Sequence, residues 1–459
     1  MTRAHGIVFG DRMIDVSLPE TAAVVPPGLS LPLDAVDDLE AEVCAALDHP
    51  IDLPPLAAAA RRAERVTVAF DDPTVPCYAP VWATALPLIA STLEAAGVAD
   101  DRIDWVCANS LHRRFTHDEI AGIAGDDFVR RHHERIRCHD AEDAERMVHL
   151  GRTRSGWDVV LDRSVVDSDL VVYLNCSTTR GFSGGWKSVC VGLSSYRSIH
   201  HHHTPDIMSM SLDRNRMHAM LDEMGELVEQ QLGRERIFKI ETVLANPFSV
   251  HRVLSGTTGA CRARALEIMR VHQPARRDLL DEPVDVVAYG VPDWSPYAAY
   301  SHTNPILDLI STGLGYLGGM IQALGKPGCT VVLATPCPMR WNETHHPSYR
   351  EAWERILPET KDPDEARARF EPEFAARRDY IDGYRYGNAF HPVHAVMALY
   401  PLKRLRHAAR VIVAGAEDPE VPRHCGFETT VTFEEALEEA GAPDASVALV
   451  DYPFAVNRA

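Results

Sequence analysis

A chain of 459 residues exceeds what one ordinary core organises, so two domains of α/β size are expected. It is 46% hydrophobic and 24% charged, with no apolar run near the roughly 20 residues that span a bilayer, which excludes an integral helical membrane protein. A net charge of −20 argues against nucleic-acid and membrane-surface partners, and ten scattered cysteines without a C-x-x-C pair point to reduced thiols and a cytoplasmic address.

In chain order, MTRAHGIVFGDRMIDVSLP alternates polar and apolar residues like an opening strand or hairpin. RVTVAF (Arg65–Phe70) reads as a buried strand, and Val81 to Ala96, stopped by Gly97, as a helix. IDWVCAN (Ile103–Asn109) is a second strand, followed by a helix whose capping box is Thr116 with Glu119. RIRCHD, DVVLDRSV and DLVVYLNC continue the strand series, and a glycine loop from Gly181 follows the last of them. Strands alternating with helices predict a largely parallel sheet, with functional residues beyond the C-terminal strand ends. After the proline-bounded link QPARRDLLDEP, the runs VDVVAYG, TVVLATP, ARVIVAG and SVALVDY predict a second α/β domain. The expected domains are therefore 1–275 and 284–459, both α/β, with the active-site cleft between them. The charged helical stretch from Asp362 to Tyr384 is an insertion or a cover for that cleft.

The chemistry concentrates in GFSGGWKSVCVGLSSYRSIHHHH, Gly181 to His203. Its spacing is neither that of a P-loop nor G-x-G-x-x-G. Gly184 and Gly185 after a strand let the backbone approach a ligand, with amides suited to phosphate; a plain structural turn explains them equally well. The four histidines are polar filler or metal ligands, since neutral imidazole suits nickel, copper and zinc. Lys187 alone would be a surface lysine.

Taken in order, Asp72-Pro73-Thr74, Leu111-His112-Arg113, His139-Asp140, Gly181–Lys187 and a histidine sixteen residues after that lysine form a pattern. The chain resembles, from about residue 5 to residue 340, the nickel-dependent lactate racemase family; Gly290-Val291-Pro292-Asp293 and Tyr300 fit its second domain. The resemblance implies a nickel-pincer nucleotide, tethered to Lys187 through a thioamide and ligated by His203 through its nickel. Gly184, Gly185, Thr74 and Tyr300 would contact that cofactor. His112 would be the base that takes the hydroxyl proton of a 2-hydroxy acid while hydride leaves C2. Asp72 is a candidate to orient that imidazole, the alternative being a turn residue before Pro73. The implied partners are a small hydroxy-acid-like substrate and the proteins that build the cofactor. His200, His201 and His202 have no counterpart in the family and read as loop residues.

The departures from the family pattern concern the substrate. Ser177 stands where a second catalytic histidine is expected, and Val75 where an arginine grips the carboxylate. Ser301 and Asn304 replace a glutamine and a lysine. Losing a bidentate arginine from a buried carboxylate site costs on the order of a few kcal/mol, so lactate itself is a poor fit. Arg180 is a candidate for the missing positive charge and His302 for the second base. The expected activity is racemisation or epimerisation of another hydroxy acid or sugar acid. The alternatives are a redox isomerase of a larger alcohol using one base, and a non-catalytic nickel or cofactor carrier. A zinc hydrolase is disfavoured, because no carboxylate-rich ligand set accompanies the histidines.

Overall fold

The computed structural model describes residues 1–26, 33–177, 181–209, 211–212, 215–272 and 280–452. It has two compact units: Met1–Leu31 with Gln273–Ile381 and His391–Ala459, and Pro32–His272 with Asp382–Phe390. These limits differ from 1–275 and 284–459 at the opening 31 residues and at the short segment 382–390. The physical reason lies in the first three strands. β1 (Thr2–Phe9) and β2 (Arg12–Pro19) form an antiparallel hairpin whose Ile7, Val16 and Leu18 join the core of Val286, Val332, Ile412 and Leu449. β3 (Ala23–Val25) then adds to that unit's sheet.

The unit built on Pro32–His272 carries β4 (Val66–Asp71), β5 (Ile103–Ala108), β6 (Ile136–Cys138), β7 (Met147–Arg152), β8 (Asp158–Asp162), β9 (Leu170–Ser177), β10 (Ile237–Asn246) and β11 (Ser249–Gly256). Its main sheet runs β11-β10-β9-β4-β5-β6, parallel except for the β10–β11 hairpin. All residues of β4 and β9 are buried, as expected of strands covered on both faces. The strand order reverses between β4 and β9, which makes their C-terminal ends a topological switch point. Helix α1 (Val81–Ala95) follows β4, and α2 (His117–Ala124) opens on the expected capping box. There Thr116 Oγ1 accepts the Glu119 amide at 3.2 Å, and Glu119 accepts the Thr116 amide at 2.8 Å.

DVVLDRSV does not extend the parallel series. β8 instead pairs antiparallel with β7 in a separate two-stranded sheet. The loop between them, residues 153–157, is too short for the crossover that parallel neighbours require.

At the end of β8, Asp162 is a fully buried hub. It accepts from Arg137 at 2.8 and 3.1 Å, from Arg146 at 3.1 Å and from the Ser164 amide at 2.9 Å, and it faces His139 Nδ1 at 3.2 Å. Burial alone would raise its carboxyl; the His139 hydrogen bond and the arginine charges overcome that and hold it well below the usual carboxylate range. A depressed folded pKa contributes stability that is present above the ordinary aspartate value near 4 and is lost as pH falls. Asp162→Asn is therefore expected to cost about 3 kcal/mol at pH 7, since partly exposed arginines soften the loss. Urea unfolding of variant and wild type should converge on acidification. Equal stability at pH 7 would contradict the hub's role.

The other unit's sheet contains β12 (Val284–Gly290), β13 (Gly325–Ala334), β14 (Arg410–Ala414), β15 (Glu428–Thr430) and β16 (Val447–Val450). Their order is β15-β14-β13-β12-β16-β3, parallel throughout. The four apolar runs read from the sequence are β12, β13, β14 and β16. Order reverses here between β12 and β16, and the segment leading to Tyr300 leaves the end of β12. Both units are thus α/β with largely parallel sheets.

Candidate active site at the β4–β9 switch point

Asp72 and Thr74 follow β4, and His112 sits in the turn after β5, its amide donating to Asn109 O at 2.7 Å. Asp72 Oδ2 lies 2.7 Å from His112 Nδ1, while Asp72 Oδ1 accepts the Thr74 amide at 2.8 Å and its hydroxyl at 2.5 Å. Burial would raise the Asp72 carboxyl, but His112 and Thr74 outweigh it and hold the group below the usual range. An ionised carboxylate on Nδ1 fixes the imidazole tautomer and leaves the His112 Nε2 lone pair as a proton acceptor. Thr74, expected at the cofactor, anchors Asp72.

On β9 and β10 the two-residue period brings Tyr173, Asn175, Ser177, Lys239 and Glu241 to one face. Asp71 there accepts from Asn175 at 2.6 Å, the Cys176 amide at 3.0 Å and the Tyr173 hydroxyl at 3.1 Å. Burial pushes its carboxyl up, partly offset by Lys239. Adjacent carboxyls, Asp71 and Asp72, are thereby driven in opposite directions. Lys239 is fully buried over the Tyr173 ring, 4.5 Å from its centroid, and its ammonium bonds the Ser188 hydroxyl. Burial pushes Lys239 down to about 8, with Glu241 and Asp71 resisting.

Glu241, also fully buried, grips the glycine loop: one oxygen accepts the Ser177 hydroxyl at 2.9 Å, the other the Gly185 amide at 3.0 Å. The Gly185 amide is therefore spent inside the protein rather than presented to a phosphate. Helices α3 (Lys187–Gly192), α4 (Tyr196–His202), α5 (Arg216–Leu232) and α6 (Thr258–Val271) surround the loop's exit. Arg262 from α6 bonds the carbonyls of Ser183 and, at 2.8 Å, Gly181; His218 from α5 bonds that of Phe182 at 3.0 Å. The loop is thus held in shape by the protein itself. It delivers Lys187, half-buried, with Nζ 4.6 Å from the Phe182 ring centroid. Burial lowers its ammonium pKa against the opposing pull of Asp71 and Asp72, a shift in the direction of the neutral amine, the form that is acylated.

Gly184 has φ +87°, and a Cβ there would meet Glu241 Oε1 at 2.2 Å and Ser177 Oγ at 2.9 Å. Gly184→Ala is expected to cost about 1–3 kcal/mol through that clash and the left-handed backbone. A melting temperature unchanged from wild type would contradict this seating of the loop.

The histidine run is not a loop. His200 to His202 form the last turn of α4, and His203 is its C-cap. His201 faces Asp158, His200 packs on Tyr196, and the two Nδ1 atoms of His202 and His203 lie 2.8 Å apart. His202 is fully buried, which pushes its imidazole down to about 3, and its Nε2 has no hydrogen-bond partner among the described residues. Among the described residues no three His, Cys, Asp or Glu side chains converge as a metal cage. A histidine here holds a metal only where most ligands come from a bound group.

Of the other residues singled out, Arg180 lies outside the described residues. Arg113 is fully buried in a bidentate pair with Glu119 at 2.6 and 3.0 Å, and His139 has both ring nitrogens engaged, by Asp162 and Ser194 O. In the other unit Tyr300 has φ +58°, an uncommon value for a non-glycine residue. The Ser301 hydroxyl accepts from Asn342 at 2.6 Å, and buried Asn304 accepts the Leu307 amide at 3.0 Å, so both are partly committed to their own loop. His302 is half-buried beside them. Asp293 binds Thr303 at 2.5 Å and Arg340 at 2.7 Å. Sequence reasoning missed Asp71, Lys239, Glu241, Arg262 and the burial of His202. A lysine and a glutamate two apart in the otherwise apolar IFKIETVLAN was the available signal.

Residues 9–214 match the family model of the lactate racemase N-terminal domain. A lactate racemase of Lactiplantibacillus plantarum is 30% identical over 199 residues, 43% of this chain and 43% of that protein. One of Thermoanaerobacterium thermosaccharolyticum is 26% identical over 166 residues, 36% of this chain and 38% of that protein. The chain thus spans less than half the length of the curated relatives it matches. The architecture is shared more widely. The lactate racemase apoprotein structure from T. thermosaccharolyticum superposes with a TM-score of 0.69 at 18% identity, over 99% of this chain and 100% of that one. A structural-genomics protein from Thermotoga maritima gives 0.55 at 13% identity, over 93% and 99%. At these identities the superpositions show a common fold. The likeness to lactate racemases thus rests on residues 9–214, which match their N-terminal domain, while the chain as a whole shares their fold.

Proposed function

We propose that this protein is a nickel-pincer-nucleotide-dependent racemase or epimerase of a 2-hydroxy acid or sugar acid other than lactate. The observation that carries the reading is the convergence of a carboxylate-oriented histidine and a half-buried lysine, its ammonium disfavoured by burial, near one switch point. The residues fit the cofactor. Lys187 suits a thioamide tether, and the His202–His203 pair offers an imidazole donor with an orphaned buried nitrogen beside it. When bound, the group would supply the acceptor for the substrate's hydride.

The chain's own residues do the rest. His112 Nε2 takes the substrate hydroxyl proton, Asp72 stabilises the resulting imidazolium, and Thr74 fixes Asp72. Glu241, Arg262 and His218 hold the glycine loop so that Lys187 is presented in one place. Val75, Ser177, Ser301 and Asn304 leave no arginine, second histidine, glutamine or lysine at the positions suited to lactate. A cytoplasmic setting with cofactor-building proteins as loading partners belongs to this reading, and no helix among the described residues is long and apolar enough to cross a membrane.

A second reading has its own support. The Ser177 hydroxyl is committed to buried Glu241, so its position offers no ionisable group directly to a substrate. That favours redox isomerisation of a larger alcohol with His112 as the single base. Both readings move hydride, and one experiment tests that feature. Loaded enzyme is given C2-deuterated hydroxy acids and sugar acids in ordinary water. Retained label with altered configuration supports racemisation, and label moved to a neighbouring carbon supports redox isomerisation. Washout of label into solvent would reject hydride transfer.

A further inference from the structure

A neutral imidazole has one N–H and one lone pair. With the Nδ1 atoms of His202 and His203 2.8 Å apart, one of them carries the proton and the other accepts it. That one hydrogen ties the far sides of the rings together. If His202 donated, His203 would carry its own proton on Nε2 and have no lone pair there for a metal. If His203 donates, its Nε2 lone pair becomes the donor side, and His202 must carry N–H at Nε2. That atom is buried and has no partner among the described residues, on a fully buried side chain. A buried N–H lacking an acceptor costs about 1–3 kcal/mol, so an arrangement that keeps one points to an acceptor supplied from outside.

We propose that His202 is a positioning and cofactor-contacting residue. It accepts the His203 Nδ1–H, which orients His203 to ligate nickel through Nε2, and it offers its own Nε2–H to a sulfur or carboxylate oxygen of the tethered group. The proposal rests on the nickel-pincer reading. It assigns the third histidine of the run a role that the resemblance gives only to the fourth, and it follows the pattern in which an imidazole ligand's second nitrogen is held by a hydrogen-bond partner.

Three variants separate the two halves. His202→Asn places an oxygen near the position of Nδ1 and keeps the acceptor for His203 but loses the far N–H. His202→Gln reaches the Nε2 position and keeps the far contact only. His202→Phe loses both at similar volume. Each is purified after loading, its Lys187 adduct is measured by intact mass, and nickel loss to a chelator is followed by elemental analysis. His202→Phe should keep the adduct and release nickel about 10–100-fold more readily, with partial rescue in His202→Asn. In parallel, long-range nitrogen–proton correlation on histidine-labelled apoprotein should show His203 protonated on Nδ1 and His202 on Nε2. A His202→Phe protein that keeps nickel like the wild type, or a His203 protonated on Nε2, would overturn the proposal. Should His202→Phe not fold, His202→Asn and the tautomer measurement still decide it. Wild-type protein with an unmodified Lys187 would instead overturn the parent reading.

Discussion

Glu241→Leu is expected to lower the stability of this protein by about 3–5 kcal/mol and to abolish modification of Lys187. The substitution removes a fully buried carboxylate that accepts both the Ser177 hydroxyl and the Gly185 amide. It also leaves Lys239 buried with Asp71 as its remaining counter-charge. Because Lys239 is already pushed down to about 8, it can shed its proton, which moves the expected loss toward the lower end of the range. Glu241→Gln keeps the volume and one acceptor, and should cost about 1–3 kcal/mol. Urea unfolding measures the stability, and intact mass after loading measures the modification. A leucine variant within 1 kcal/mol of wild type, with Lys187 still modified, would show that the loop holds itself.

Asp72→Asn is expected to reduce turnover about 10²–10⁴-fold with little change in melting temperature. The carboxylate holds the His112 proton on Nδ1 across 2.7 Å. An asparagine held by Thr74 through its oxygen would turn its NH₂ toward Nδ1. The imidazole proton would then move to Nε2, the atom that must accept from substrate. The rate of configurational change of a hydroxy acid turned over by the wild type measures this directly. Unchanged turnover would remove the Asp72–His112 pair from the chemistry.

Much of this arrangement was legible in the sequence because it is local. Strand runs, the Thr116–Glu119 box and a glycine loop straight after a strand are written within a few residues. Asp72 and His112 could be paired because each follows a parallel strand, and neighbouring strand ends converge. What was not legible depends on partners distant in the chain. The β1–β2 hairpin packs with residues near Val286 and Leu449, which no local pattern announces. DVVLDRSV has the composition of a parallel strand, yet its short link to β7 decides its pairing. Glu241 and Lys239 lie in a strand buried on both faces, where charge is normally absent, so their role emerged only once β9 was beside them. Four consecutive histidines suggested a polar loop; their place at the end of α4, with His202 turned inward, is set by packing rather than by helix propensity.

The central claim is that Lys187 carries a covalently attached nickel cofactor. Intact-mass and peptide-level spectrometry of protein produced with the cofactor-building proteins and nickel tests it most directly. A mass increase localised to Lys187, absent from Lys187→Ala made in the same way, is the predicted result. Wild-type protein that leaves those conditions with Lys187 unmodified would contradict it.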